Sequence, residues 1–144
     1  RLVLEASGAQ FRHVRMQPGK PQGWARTGAR RVPVVALPGN PLSTMVSYEL
    51  FVRPALATML GRPVPAWGTA VADAAWRSPA GRRQFLPVVA ATDAAGVLRV
   101  RPAHERGAAS HVVSSLARAD GLASVGEDVT EVAPGDLLEF RRLS

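Results

Sequence analysis

The sequence contains no cysteine. That excludes disulfides, thiolate metal sites and thiol nucleophiles, and makes a reducing, cytoplasmic compartment the plain reading. No apolar run of about 18 residues occurs, so no transmembrane helix is expected. The first residues lack the apolar core of a signal peptide. Lysine is nearly missing: of 18 Lys and Arg residues, only Lys20 is a lysine. The three histidines, His13, His104 and His111, have no metal-ligand spacing. No H-E-x-x-H, G-x-S-x-G, paired-carboxylate arrangement, P-loop or dinucleotide fingerprint is present.

What is there describes an ordinary globular chain. Its 144 residues are 47% apolar and 20% charged, enough for one average domain or two small ones. The net charge is +7, and its distribution is uneven. Residues 1–62 hold nine cations and two acids, whereas residues 63–144 hold nine arginines and nine acids. An anionic partner would therefore meet the first part, around Arg12, Arg15, Lys20, Arg26, Arg30 and Arg31. The bland alternative is a solvated arginine face.

Residues 11–17 read as a short strand, and the two prolines and two glycines of residues 18–23 exclude regular structure there. Residues 32–37 form a nearly all-apolar run, the pattern of a strand buried on both faces. From Leu42 the spacing becomes helical, with Met45, Val46, Leu50, Phe51, Leu56, Met59 and Leu60 on one face. Asn40 is a natural N-cap, Pro41 fits the first helical position and Gly61 suits the end. Pro54 predicts a kink or break near residues 52–53. Beyond Pro65 the period shortens. Residues 69–72, 84–91, 97–101, 122–125 and 137–141 read as strands of a small antiparallel barrel or sandwich. Residues 112–119 fit either a strand or a helical turn. Trp24, Trp67 and Trp76 read as packing or interface residues.

Three places could carry chemistry. The turn Pro38-Gly39-Asn40-Pro41 joins an apolar strand to a helix start, where unpaired N–H groups and the dipole favour an oxyanion. It reads equally as a structural turn. The loop Pro18-Gly19-Lys20-Pro21 presents the sole lysine, either as a point charge for a tetrahedral anion or as a solvated turn residue. In the second half, Gly81-Arg82-Arg83 opens a strand and residues 104–115 form a polar loop with Ser110, His111, Ser114 and Ser115. Guanidinium and hydroxyl groups together suit oxyanions, and a hairpin start with a capping loop is the structural alternative.

Taken in order, VRMQPGKPQGWARTG, VPVVALPGNPLSTMVSYELFVRPALATMLG, GRRQFLPV, SHVVSSLARADGLASV and APGDLLEF resemble the C-terminal part of the molybdopterin molybdenumtransferases. This is the molybdenum cofactor biosynthesis family that includes the gephyrin E domain. The resemblance implies an α/β tail over residues 1–62, the strand-loop-helix of a molybdopterin-binding domain. A small all-β barrel domain over residues 63–144 follows it. It also implies insertion of molybdate into adenylylated molybdopterin with release of AMP, assisted by magnesium, in a homodimer. The acids that would hold the metal, and the family's glycine- and serine-rich loop, would lie ahead of Arg1. The chain is accordingly expected to be a fragment, inactive alone.

Residue by residue, Lys20 and Pro21 match the family's K-P-G-K-P loop, whose first lysine is Gln17 here. Pro38, Gly39, Asn40 and Pro41 match its proline loop. Arg82 matches the arginine of a G-R-x-E-F-x-R pattern, with Gln84 and Pro87 in place of the usual Glu and second Arg. Ser110 matches a molybdate-contacting serine, with Ser114 as the second candidate. Two other classes remain open. A basic nucleic-acid-binding module would exploit the +7, but the neutral second half lacks closely placed exposed aromatics for base stacking. A scaffold or interaction domain is allowed by the gephyrin likeness.

Overall fold

The computed structural model describes residues 8–104 and 114–143. Strands β1 (Gln10–His13), β3 (Pro21–Thr27) and β4 (Val32–Ala36) form an antiparallel sheet in the order β1-β3-β4. The expected single strand over residues 11–17 is instead two, β1 and β2 (Met16–Gln17), because β2 leaves this sheet and pairs in parallel with the barrel. The stretch of residues 18–23 is only partly irregular. Pro21 begins β3, and a proline is tolerated as the first residue of a strand.

β4 is not buried on both faces. A turn with positive φ at Gly28 and Arg31 folds it back on β3, and among the described residues it pairs with β3 alone. Val32 and Val35 are consequently 52% and 41% exposed.

The helical pattern from residue 41 to 59 is continuous but changes pitch. Helix α1 (Pro41–Ser47) passes into a π-helical turn (Tyr48–Val52) and then helix α2 (Arg53–Met59). Pro54 explains the change: its ring would clash with the carbonyl four residues back and it has no N–H to donate. The wider turn absorbs this, with Arg53 N–H donating to Tyr48 C=O, five residues back. Asn40 caps α1 as expected, and Gly61 takes the left-handed conformation at φ +63°. The apolar stripe is buried only at its start. Leu42 and Val46 are fully enclosed, whereas Leu56, Met59 and Leu60 are exposed, since no described element packs over α2.

The second half is a closed five-strand barrel. Strands β7 (Arg83–Thr92), β8 (Leu98–Pro102), β5 (Gly68–Ala72), β11 (Leu137–Arg142) and β9 (Gly121–Val125) pair in that order, and β9 returns to β7. The five expected strands each lie within one residue of those observed. The all-antiparallel expectation fails at one seam, where β5 and β8 run parallel through Val71↔Arg99 and Ala72↔Val100. A short pair, β6 (Trp76–Arg77) with β10 (Glu131–Val132), was not expected. Helix α3 (Ser114–Arg118) resolves part of the ambiguous stretch as helical.

Leu86, Val88, Val100, Ala123, Val125, Val132 and Trp76 fill the barrel. Buried Trp76 donates its indole N–H to Gln84 Oε1 at 3.1 Å, so the one polar atom of that large ring is satisfied. Gly121 is required by a close approach. A Cβ there would overlap the Phe140 ring and lie 2.6 Å from the Arg141 carbonyl. The two halves share a core, in which Met16, Leu42 and Val46 meet Phe85 and Leu122 of the barrel, with Trp67 packed alongside.

Candidate functional site

The parallel pairing of β2 with β7, Met16↔Arg83 and Gln17↔Gln84, carries the chain directly from the barrel into the lysine loop. Arg82, the residue before β7, places Nη1 3.4 Å from Gln17 Oε1. The barrel arginine thus touches the residue standing where the resemblance expects a first lysine. Three residues further on, Lys20 is exposed.

The loop between them is held from below. Gly19 adopts φ +95°, and a Cβ on it would lie 3.0 Å from Ser47 Oγ and 3.1 Å from Met16 Cε. Glycine therefore serves both the left-handed backbone and the close approach to α1. Gln22 Nε2 donates to the Gly19 carbonyl and to Ser47 Oγ, each at 2.6 Å. These bonds pin the loop to α1 while Lys20 remains exposed.

The second loop lies at the same end. Register pairs Gly23 with Ala36 and Trp24 with Val35, so the start of β3, just after Lys20, neighbours the end of β4, just before Pro38. Within residues 38–41 the geometry corrects one expectation. The N–H groups of Leu42 and Ser43 are already taken by Asn40 Oδ1, at 3.1 and 3.3 Å, and Thr44 N–H by the Asn40 carbonyl at 2.8 Å. Pro41 has no N–H, so α1 offers no open first-turn donor to an anion. Thr44 Oγ1 also donates to the carbonyls of Pro38 and Asn40. Pro38, Gly39, Asn40 and Pro41 thus form a braced loop beside the lysine loop.

The structure therefore brings Lys20, Pro21, the Pro38–Pro41 turn and Arg82 to one region. Ser110 lies outside the described residues. Ser114 opens α3, but its side chain is likewise outside them. Among the described residues no group of three or more His, Asp or Glu side chains could hold a metal ion. The described residues therefore offer no magnesium site.

Sequence reasoning missed the groups that tie the region together. Glu49, one of two acids in residues 1–62, is buried and pairs with Arg53 at 2.8 Å and with Arg141 at 3.4 Å. A carboxylate amid the apolar stripe of a helix was the available signal. Burial, together with nearby Arg53, pulls the Arg141 guanidinium below its ordinary value, and the Glu49 carboxylate opposes the shift. The arginine also stacks on Trp67, 4.7 Å from the ring centroid.

This fold is similar to that of solved molybdopterin biosynthesis proteins. A protein of that kind from Pyrococcus horikoshii has 28% sequence identity and a TM-score of 0.73, covering 98% of this chain and 33% of that one. A molybdenum cofactor biosynthesis protein from Pyrococcus furiosus gives 26% and 0.70, covering 95% of this chain and 46% of that one. Residues 69–143 match the MoeA C-terminal region (domain IV), and residues 2–58 match a probable molybdopterin binding domain. The chain belongs to the MoeA family of molybdopterin molybdenumtransferases. It is 42% identical over 134 residues to molybdopterin molybdenumtransferase 2 of Mycobacterium tuberculosis, covering 92% of this chain and 31% of that protein. It is 31% identical over 149 residues to molybdenumtransferase 1 of the same organism, covering 99% and 34%. The chain thus spans about a third of the length of the curated relatives it matches.

Proposed function

We propose that this chain forms one wall of the site at which a molybdopterin molybdenumtransferase inserts molybdate into adenylylated molybdopterin, with release of AMP. The observation that carries the reading is the contact of Arg82 with Gln17, which sets a barrel guanidinium at the root of the loop bearing Lys20. Molybdate is a dianionic oxyanion. Lys20 supplies a compact charge on an exposed, braced loop, and Arg82 supplies a planar fork of donors. Gln17 contributes an amide where the family pattern has a cation, so the site relies on two cations, not three. Pro21 and the Pro38–Pro41 turn shape the floor, and Ser110, with Ser114 as the second choice, is assigned a hydroxyl contact to the anion.

The remaining parts of the reaction, magnesium binding included, are assigned to the intact protein, a cytoplasmic homodimer. The 144-residue chain alone is proposed to be inactive.

Calorimetric titration of molybdate into the full-length protein tests the assignment. Lys20→Ala and Arg82→Ala should each weaken binding by about tenfold, the loss of one charge-assisted contact. Wild-type affinity in both variants overturns it.

A further inference from the structure

At the barrel, the structure holds a second basic concavity that shares no residue with the Lys20–Arg82 region. It has a volume of about 600 Å³ and is lined by Ala74, Trp76, Arg101, Ala103, His104 and Arg118, with Ala75 and Pro102 completing the wall. Two different elements supply the cationic side. Arg101 comes from β8 and Arg118 from the last position of α3. Small side chains at Ala74, Ala75 and Ala103 leave the space open.

The charge here is not a by-product of composition, because residues 63–144 are formally neutral. Other barrel arginines have taken acids: Arg83 pairs with Glu139, Arg99 with Asp93 and Arg141 with Glu49. Arg101 and Arg118 appear in none of the ion pairs of the described residues, and among those residues no carboxylate lines the cavity. Asp120, two residues from Arg118, is committed elsewhere, accepting the Ala90 N–H at 2.9 Å. Two guanidinium groups that face one concavity focus a positive potential into the space between them.

We propose that this concavity binds a phosphate-bearing small molecule, its anion gripped by the guanidinium groups of Arg101 and Arg118. Two planar forks match the oxygens of a phosphate group. The volume falls within the range of small-molecule sites, and the alanine and tryptophan wall accommodates an apolar or flat body. Trp76 contributes its ring alone, since its N–H is held by Gln84. The β8 side of the cavity is set apart from Arg82. Pro102 pairs with Val88, six residues along from Arg82, which is about 20 Å of extended strand.

The test titrates inorganic pyrophosphate and, separately, AMP into the full-length protein and follows binding by calorimetry. Saturable binding is expected, weakening with added salt. It should fall by about tenfold or more in the double variant Arg101→Gln/Arg118→Gln and stay unchanged in Arg142→Gln, an exposed barrel arginine outside the cavity. All four proteins are compared by circular dichroism, the fourth being Lys20→Ala. If AMP binds more tightly than pyrophosphate at the Arg101/Arg118-dependent site, the ligand is an organic phosphate. If pyrophosphate binds at least as tightly, it is a free inorganic anion. Wild-type affinity for both probes in the double variant overturns the inference. So does binding lost only in Lys20→Ala, which would leave the molybdate reading intact.

Discussion

Arg141 on β11 donates from Nη2 to the backbone carbonyl of Glu49 at 2.5 Å, across 92 residues of sequence. The carbonyl belongs to the π-helical turn, so a barrel strand grips the helical segment where its pitch is wide. Both residues are nearly enclosed, at 5% and 4% exposure, and Arg141 Nε has no hydrogen-bond partner. The contact therefore carries a desolvation cost that the ion pair, the carbonyl and the Trp67 ring together offset.

Replacing Arg141 by methionine should destabilise the protein by about 2–4 kcal/mol, because a buried carboxylate loses one of its two cations. The loss is held to that range because Arg53 remains 2.8 Å from Glu49. Arg141→Lys should recover only part of it, since an ammonium cannot serve carbonyl, carboxylate and ring face at once. Urea unfolding with an unchanged slope and a lowered midpoint is the expected readout. A midpoint equal to wild type in Arg141→Met would show that the junction contributes nothing.

Asn40→Ala should cost about 1 kcal/mol, the usual value of a lost N-cap, since two N–H groups of α1 lose their acceptor. Asn40→Asp keeps that acceptor and should retain wild-type stability. Thermal unfolding of the two variants side by side checks the cap, and molybdate titration of the stable Asp variant then reports on the loop itself.

Asp93 gives the protein a defined acid sensitivity. The hydrogen bond from Arg99 holds its carboxyl below the ordinary value of 3.8, helped by the N–H groups of Val97 and Ala95 against a small opposing effect of burial. A carboxyl lowered in the folded state binds protons less readily than in the unfolded chain. Its stabilisation is present above pH 3.8 and is lost as pH falls through the folded value. Asp93→Asn should therefore be less stable than wild type at neutral pH, and the gap should close on acidification below that value. A gap independent of pH would rule out the carboxylate as its cause.

Local patterns carried much of the fold into the sequence. Alternation and turn residues located the five barrel strands, and Asn40, Pro41 and Gly61 bounded the helical segment, because each signal is set within a few neighbouring residues. What escaped depends on partners far along the chain. The parallel seam of β5 with β8 is a matter of barrel closure, and no periodicity encodes it. The exposure of Val32 and Val35 follows from what lies beside β4, which an apolar run alone does not report. At the site, Lys20 and the Pro38–Pro41 turn were readable as motifs, whereas the Arg82–Gln17 contact, 65 residues apart in sequence, emerges only through the pairing of β2 with β7. Gly39 and Asn40 show the opposite case. The motif suggested open helix donors, and the Asn40 side chain closes them.

Barrel closure also divides the chain into two regimes of backbone exchange with solvent. Every one of the five barrel strands is flanked on both sides, so amide hydrogens at their centres reach water chiefly through global opening. In the three-stranded sheet, among the described residues, only β3 is flanked in this way. The amides on the outer edges of β1 and β4 have no strand beside them among the described residues, so deuterium uptake is expected first at the end of the molecule that carries Lys20.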